Sequence, residues 1–495
     1  MARIDDIIAE RNSAYQKPKA LKRPTAALDV SLRREQRFQR SMQFRRAEPA
    51  WVNLDTLYPP VYTVSDLPTI VQAVQLNTAE SLLFAAQAIR KMLCLDRAPM
   101  HELNEAGLMQ MVPLWVRSAN YPQLQYESIV IANSVAACSI KYTQVLVSAG
   151  LLQGLVSALA SSNEDIKEEA LTALARTPTQ CPMAVETLAD LGLVAVLLQV
   201  AGSARRTTVR QACWVLASVA RGRCLEQIVH MGLAFVMREL REAEEAETLV
   251  DCCYVLAQLS SPGIARVQIL LDIDAVPRLA ALAESPVYGV QLAALRALGN
   301  ISTGNDKQAE VLMSPSVLTT LVTKVTSTRR QIRKETVWIL SNLCAGPLEH
   351  IQEILAQGVL PLVVRLISTD DLEISREVCW LVTNIVLNGT PEHIQTLLDT
   401  AVVFNLCQLL EEAETQLLVA VLTAIKTLLQ DSRAHFQTDS GINPIKELIE
   451  ASGGVSYIED LQTHMDTEVY QSACFIIDQF FASPTALLPD EDFLI

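Results

Sequence analysis

Two stretches of this 495-residue chain carry one set of reactive groups in the same order: Glu335, Trp338 and Asn342 in KETVWILSN, and Glu377, Trp380 and Asn384 in REVCWLVTN. A carboxamide offers two N–H donors and an acceptor, enough to bond both the N–H and the C=O of an extended peptide. A tryptophan face accepts the methylenes of Lys or Arg and attracts the charge at their end. The carboxylate one helical turn earlier can pair with that ammonium or guanidinium. Together these groups describe a slot for a basic, extended peptide. A third stretch, LAALRALGN, keeps the amide as Asn300 and places Arg296 at the ring position. One copy alone would count as a core ring and a solvated helix amide; copies in register favour a binding row.

The element that must position these groups is a helix. Spacings of three and four put Glu335, Trp338 and Asn342 on one face, while Val337, Leu340 and Cys344 lie on another. A surface helix needs only one buried stripe, so this helix must have neighbours on more than one side. Asn300, Asn342 and Asn384 are 42 residues apart, as are Arg296, Trp338 and Trp380. Between the copies run shorter apolar patterns such as HIQEILAQGVLPLVVRLIS, 350–368, interrupted by Gly-Val-Leu-Pro. Two or three helices per repeat at this period predict an all-α armadillo or HEAT-type array. The expected architecture is a right-handed superhelical solenoid of about nine to ten repeats over 67–481, with a long concave face.

Stepping backward, 42 residues from Arg296 reach Tyr254, forty more reach Trp214, and two further steps of 42 reach Thr172 and Val130 at the ring position. Four places later stand Gln258, Ser218, Arg176 and Ser134. Here the amide is lengthened, shortened or replaced by a charge. Arg176 puts a positive charge where a basic ligand would lie, which selects against such a ligand.

Composition fits the array. Half of the residues are hydrophobic and 5% aromatic, far more apolar surface than one ordinary core would use. No charge-poor apolar run is long enough to span a bilayer, and the opening MARIDDIIAERN is too charged for a signal peptide, so a soluble, unsecreted protein is expected. The eleven cysteines contain no CxxC pair and are expected to be buried thiols in a reducing compartment. His350 and His393 lack metal-ligand spacing and are taken as surface or helix-end residues. No metal, no cofactor and no enzymatic constellation is expected. Residues 1–50 hold twelve Lys and Arg against six Asp and Glu, so a basic arm is tethered to a body carrying a net charge of −21. Nucleic acid is a poor partner for that body.

At these motifs the chain resembles importin-alpha, the armadillo adaptor that carries nuclear localisation signals. ALRALGNISTGND, KETVWILSN and REVCWLVTN resemble the family's sixth to eighth repeats, FAAQAIRKMLCLDRAP its first and IEASGGVSYIEDLQTHMDTEVYQSACFIIDQFF its last. The resemblance implies that Arg296, Asn300, Glu335, Trp338, Asn342, Glu377, Trp380 and Asn384 form the minor signal-binding site. It implies that the major site is degraded, with Trp214 its remaining ring. LDVSLRREQRFQRSMQFRRAE, 28–48, resembles the importin-beta-binding segment, with Arg33, Arg34, Arg37, Arg40, Arg45 and Arg46 as its basic residues and Arg33, Arg37 and Arg40 on one helical stripe. The implied organisation is an arm at 1–50, a linker at 51–66, the repeat array at 67–481 and an acidic tail at 482–495. The implied partners are basic cargo peptides, importin-beta and, around Tyr470, an export receptor acting with Ran; no membrane is involved, and the protein shuttles between cytoplasm and nucleus. The alternative is an armadillo scaffold that has lost ordinary signal binding and engages proteins through another surface.

Because the arm supplies charge with little apolar surface, its binding to importin-beta is expected to rest on ion pairs and to weaken with salt. Charge reversal at Arg37 and Arg40 should lower that affinity at physiological salt. Equal affinity of the reversed chain in a titration would remove the assignment of this segment.

Overall fold

The computed structural model describes residues 62–481, apart from 96–97, 203–204, 261–263, 370, 412–413 and 436–442. Every regular element among them is helical. The first two long helices are Leu67–Leu76 and Ala79–Leu93, after which the helices come in threes. The third helix of each set is named here, counting Ala79–Leu93 as α1: α2 Pro122–Cys138, α3 Glu164–Gln180, α4 Arg206–Val219, α5 Ala246–Leu259, α6 Tyr288–Ile301, α7 Arg330–Leu343, α8 Leu372–Asn388, α9 Thr415–His435 and α10 Thr467–Ile476. Nine triplets, closed by α2 to α10, follow the opening pair among the described residues, in keeping with the nine to ten repeats read from the period.

Within a triplet the first and second helices are separated by a sharp turn. Gly358, at φ 67°, bends Leu348–Ala356 away from Leu360–Thr369 by 81°. Glycine enters that left-handed region at no steric cost, which explains the break in the AQGVLP pattern. In the triplet of α6 the same turn falls on Asp274 at φ 54°, a short polar residue that tolerates the region better than most. The triplet of α5 has no such turn: Gly222–Gln227 continues through a π-turn, Ile228–Gly232, into Leu233–Glu242. Some of the third helices, α3 and α8 among them, start on side-chain caps. Asp371 accepts from the backbone N–H groups of Glu373 and Ile374 at 3.2 and 3.4 Å to open α8, and Asn163 accepts from that of Asp165 at 2.9 Å to open α3.

Contacts divide the chain into a unit ending at Leu259 and a unit beginning at Ser260. In the first, α1 to α5 pack each on the next; in the second, α6 to α10 do the same. The intact motifs of 296–384 therefore all belong to the C-terminal unit, and the altered ones of 130–218 to the N-terminal unit. In α7, Ile332 and every residue from Lys334 to Leu343 are buried. Val337, Leu340 and Cys344 are fully enclosed, as the apolar face required. The opposite face is covered too, because α6 and α8 flank the helix. Each fully buried aliphatic side chain here contributes about 1.5–3 kcal/mol of burial free energy.

All eleven cysteines are thiols, most of them buried, although Cys94 and Cys138 are exposed. His393 caps its own helix by accepting from the Thr390 N–H at 3.3 Å. His350 also sits in a first helical turn but is buried rather than at the surface. Among the described residues no single helix is long and apolar enough to cross a membrane.

The end of the array shows what a last repeat must supply. Ile449, Ile458, Val469, Ala473 and Ile476 are all fully buried, and α10 packs on α9. Deleting 449–495 would bare that face of α9, so the shortened chain should aggregate and lose its single sharp melt. Size-exclusion chromatography and a thermal scan decide; a monomeric, cooperatively melting product would show that this triplet is not the cap.

Candidate functional site

The ring position is the ninth residue of its helix in seven successive third helices: Val130 in α2, Thr172 in α3, Trp214 in α4, Tyr254 in α5, Arg296 in α6, Trp338 in α7 and Trp380 in α8. With consecutive helices packed side by side inside each unit, equal positions become neighbours in a row. The frame read from the period is thus a structural frame. In α9 the next step, Leu422, is a fully buried core residue, and the row ends.

In the C-terminal unit the row lies deeper than free ligand groups would. Trp338 is 7% exposed, Asn342 9%, Glu335 7%, Asn384 3% and Glu377 1%. Arg296, Asn300 and Trp380 are half-buried. Much of the row is already bonded across the repeat joints. Arg296 Nε donates to Glu335 Oε1 at 3.1 Å, so the carboxylate assigned to a ligand cation already holds one of the chain's own. Asn342 Nδ2 donates to Ser302 Oγ at 2.9 Å, and Asn384 Nδ2 donates to the Ser341 carbonyl at 2.7 Å. Each bond takes one N–H; the group carries a second N–H and a carbonyl oxygen with which to meet a peptide. Arg330 and Lys334 of α7 reach Glu373, and Arg330 also reaches Asp371, at the start of α8. Burial pushes the thiol of Cys379, next to Trp380, up to about 12, so no thiolate forms beside the ring.

Trp338 owes its position to a glycine. A Cβ at Gly299 would collide with the six-membered ring of Trp338, so the ring packs against the backbone of α6 only because that residue has no side chain. Reading the sequence by ring and amide missed Gly299, Ser302 and Ser341. The signal for Gly299 was there: glycine inside a helix costs up to about 1 kcal/mol relative to alanine and calls for a packing reason. The serines carry no pattern that marks them as partners.

In the N-terminal unit the same row is satisfied differently. At the amide position, Ser134 and Ser218 donate to carbonyls of their own helices, Val130 and Val215, at 2.9 and 2.8 Å. Thr172 bonds the Glu168 carbonyl at 3.0 Å and accepts from Gln211 Nε2 at 3.3 Å. Val130 is buried. Trp214 is half-buried, with the Arg176 guanidinium 5.9 Å from its ring centroid.

Known proteins were compared with this geometry in hand. Models of the armadillo/beta-catenin-like repeat match 139–176 and 348–387, and a model of the atypical Arm repeat matches 443–488. Importin subunit alpha-1b of Oryza sativa subsp. japonica is 32% identical over 420 residues, covering 84% of this chain and 79% of its own. The chain belongs to the importin alpha family. Importin subunit alpha-B of Dictyostelium discoideum is also 32% identical, covering 84% of this chain and 82% of its own. A crystallised engineered protein superposes with a TM-score of 0.73 at 24% identity over 83% of this chain and 98% of that one, which agrees with the fold. In this importin alpha the ring-and-amide pairs Trp338 with Asn342 and Trp380 with Asn384 lie in the C-terminal unit, and other residue types stand at those positions in the N-terminal unit. The basic arm with Arg33, Arg34, Arg37, Arg40, Arg45 and Arg46, the linker up to residue 61 and the tail at 482–495 lie outside the described residues.

Gly299→Ala tests the seat of Trp338. The added methyl must displace the ring, and overpacking of this kind costs about 1–3 kcal/mol. The urea midpoint should fall accordingly; an unchanged midpoint would show that the ring slides aside without loss.

Proposed function

We propose that this importin alpha is a nuclear import adaptor that receives a basic, extended peptide along the row of its C-terminal unit and joins that cargo to importin-beta through the arm. The observation that carries the reading is the shared register of Trp338 with Asn342 and of Trp380 with Asn384, on two adjacent helices packed side by side. Each amide faces the peptide backbone with the N–H and oxygen that the repeat joint does not use. Trp380, half-buried, offers a face to a basic side chain, and the acidic body draws such a peptide in by long-range attraction. In this reading the protein shuttles between cytoplasm and nucleus. Tyr470, 45% exposed on α10, is where contact with an export receptor and Ran is placed.

The scaffold reading has one observation in its favour: the row's amides and Glu335 already serve the repeat joints, a use that needs no ligand. Calorimetric titration with a basic peptide separates the two. Removing two backbone bonds worth about 1 kcal/mol each through Asn342→Ala with Asn384→Ala should weaken binding at least about tenfold. Trp380→Ala should cost about 1–2 kcal/mol through lost stacking and cation–π attraction, whereas Trp214→Ala should cost little. Because both amides also hold joints, each variant is first checked by thermal melting. If the folded asparagine pair binds as tightly as the parent, or loses less than Trp214→Ala, the scaffold reading replaces the adaptor.

A further inference from the structure

We infer that Arg176 is an internal occupant of the Trp214 slot, a residue that sets specificity by closing the N-terminal unit to basic peptides. The inference rests on the proposed reading in one respect, that lysine and arginine side chains are the ligands of this row.

The geometry is that of a ligand supplied by the chain itself. Arg176 stands at the amide position of α3 and Trp214 at the ring position of α4, the next helix of the same unit. Its guanidinium reaches across the joint to 5.9 Å from the ring centroid, inside the range at which a cation is held by an aromatic face. Arg176 is only 9% exposed, so the charge is withdrawn from water where such attraction is strongest. The end of α3 that carries it is held in place: Thr179 Oγ1 donates to the Arg176 carbonyl at 2.5 Å, and Arg221 Nη2, just beyond α4, donates to the Pro178 carbonyl at 2.6 Å. A peptide lysine arriving at Trp214 would have to displace a tethered cation and accept its repulsion. The neighbouring positions offer no recompense, since Thr172 and Ser218 bond the carbonyls of their own helices. Asn300, Asn342 and Asn384 occupy the corresponding places in the C-terminal unit, where no cation from the amide position of one helix fills the ring of the next.

The test uses the full chain and an octalysine peptide in calorimetric titration. The parent and Arg176→Lys, which keeps the cation, should bind one peptide per chain. Arg176→Ala, and Arg176→Gln as a variant that keeps more of the buried stem, should bind two, and adding Trp214→Ala should abolish the second site. A parent that already binds two peptides, or folded Ala and Gln variants that stay at one, overturns the assignment while leaving the adaptor reading intact. A parent that binds none beside an Arg176→Ala chain that binds one through Trp214 upholds the occupant and removes the adaptor reading; binding by neither removes both. A second measurement needs no change at Arg176: its guanidinium proton resonances should be shifted upfield by the indole ring current and move downfield in Trp214→Leu. Resonances at ordinary positions in the parent would overturn the stacking outright.

Discussion

The joint between one third helix and the next is the constraint from which the rest of this structure follows. A repeat of two short helices and one long one cannot enclose its own apolar side, so each long helix is walled by its neighbours as well as by its own triplet. α7 shows the consequence, with Ile332 and every residue from Lys334 to Leu343 buried. Polar groups on such a helix have little water to turn to, and leaving them unpaired costs more than any single bond gains. They therefore bond across the joint. Arg296 with Glu335 and Asn342 with Ser302 close the joint between α6 and α7, and Asn384 with the Ser341 carbonyl closes that between α7 and α8. Lys334 and Arg330 with Glu373 add a fourth pairing, at the mouth of the joint between α7 and α8.

This double use explains which parts of the site were legible in the sequence. The frame was, because period and helix spacing both derive from backbone geometry: the ring position predicted from steps of 42 residues, and one of 40, is the ninth residue of seven third helices. The two faces of α7 were as well, since Val337, Leu340 and Cys344 had to be core whatever lay opposite. Pairing was not. Nothing in ISTGND marks Ser302 as the acceptor for an amide forty residues on, because a serine's partner is fixed by how helices stack and not by local spacing. Arg176 was half legible. Its charge announced repulsion toward a basic ligand, but that the guanidinium lies over Trp214 depends on the approach of α3 to α4. His350 was half legible too: it stands at a helix end as read, but its burial there depends on packing that the local sequence does not show.

The same argument separates the two units by what their side chains hold. In the C-terminal unit, Asn342 and Asn384 contribute to the joints, so under the proposed function substitutions there lose stability and binding together. In the N-terminal unit, Ser134 and Ser218 return their hydroxyls to carbonyls four and three residues earlier. A hydroxyl satisfied within its own helix imposes nothing on the next repeat. Loss of an amide at such a position removes a ligand contact without opening a joint.

Joints in the N-terminal unit must still be closed, and they are closed by residues beside the row. Asn133 Nδ2 donates to Glu169 Oε2 at 2.6 Å between α2 and α3, and Thr207 Oγ1 donates to Glu168 Oε1 at 2.6 Å between α3 and α4. Gln211 reaches Thr172 across the latter joint. Arg90 on α1 pairs with the buried Glu127 of α2 at 2.7 Å. Each of these bonds does for its joint what Asn342 or Arg296 does in the other unit and, Thr172 apart, from positions outside the row. The fold therefore survives the exchange of Asn for Ser or Arg along the row. Stability constrains the joint, not the identity of the residue that closes it, and a binding row can change wherever a neighbouring pair has taken over that task.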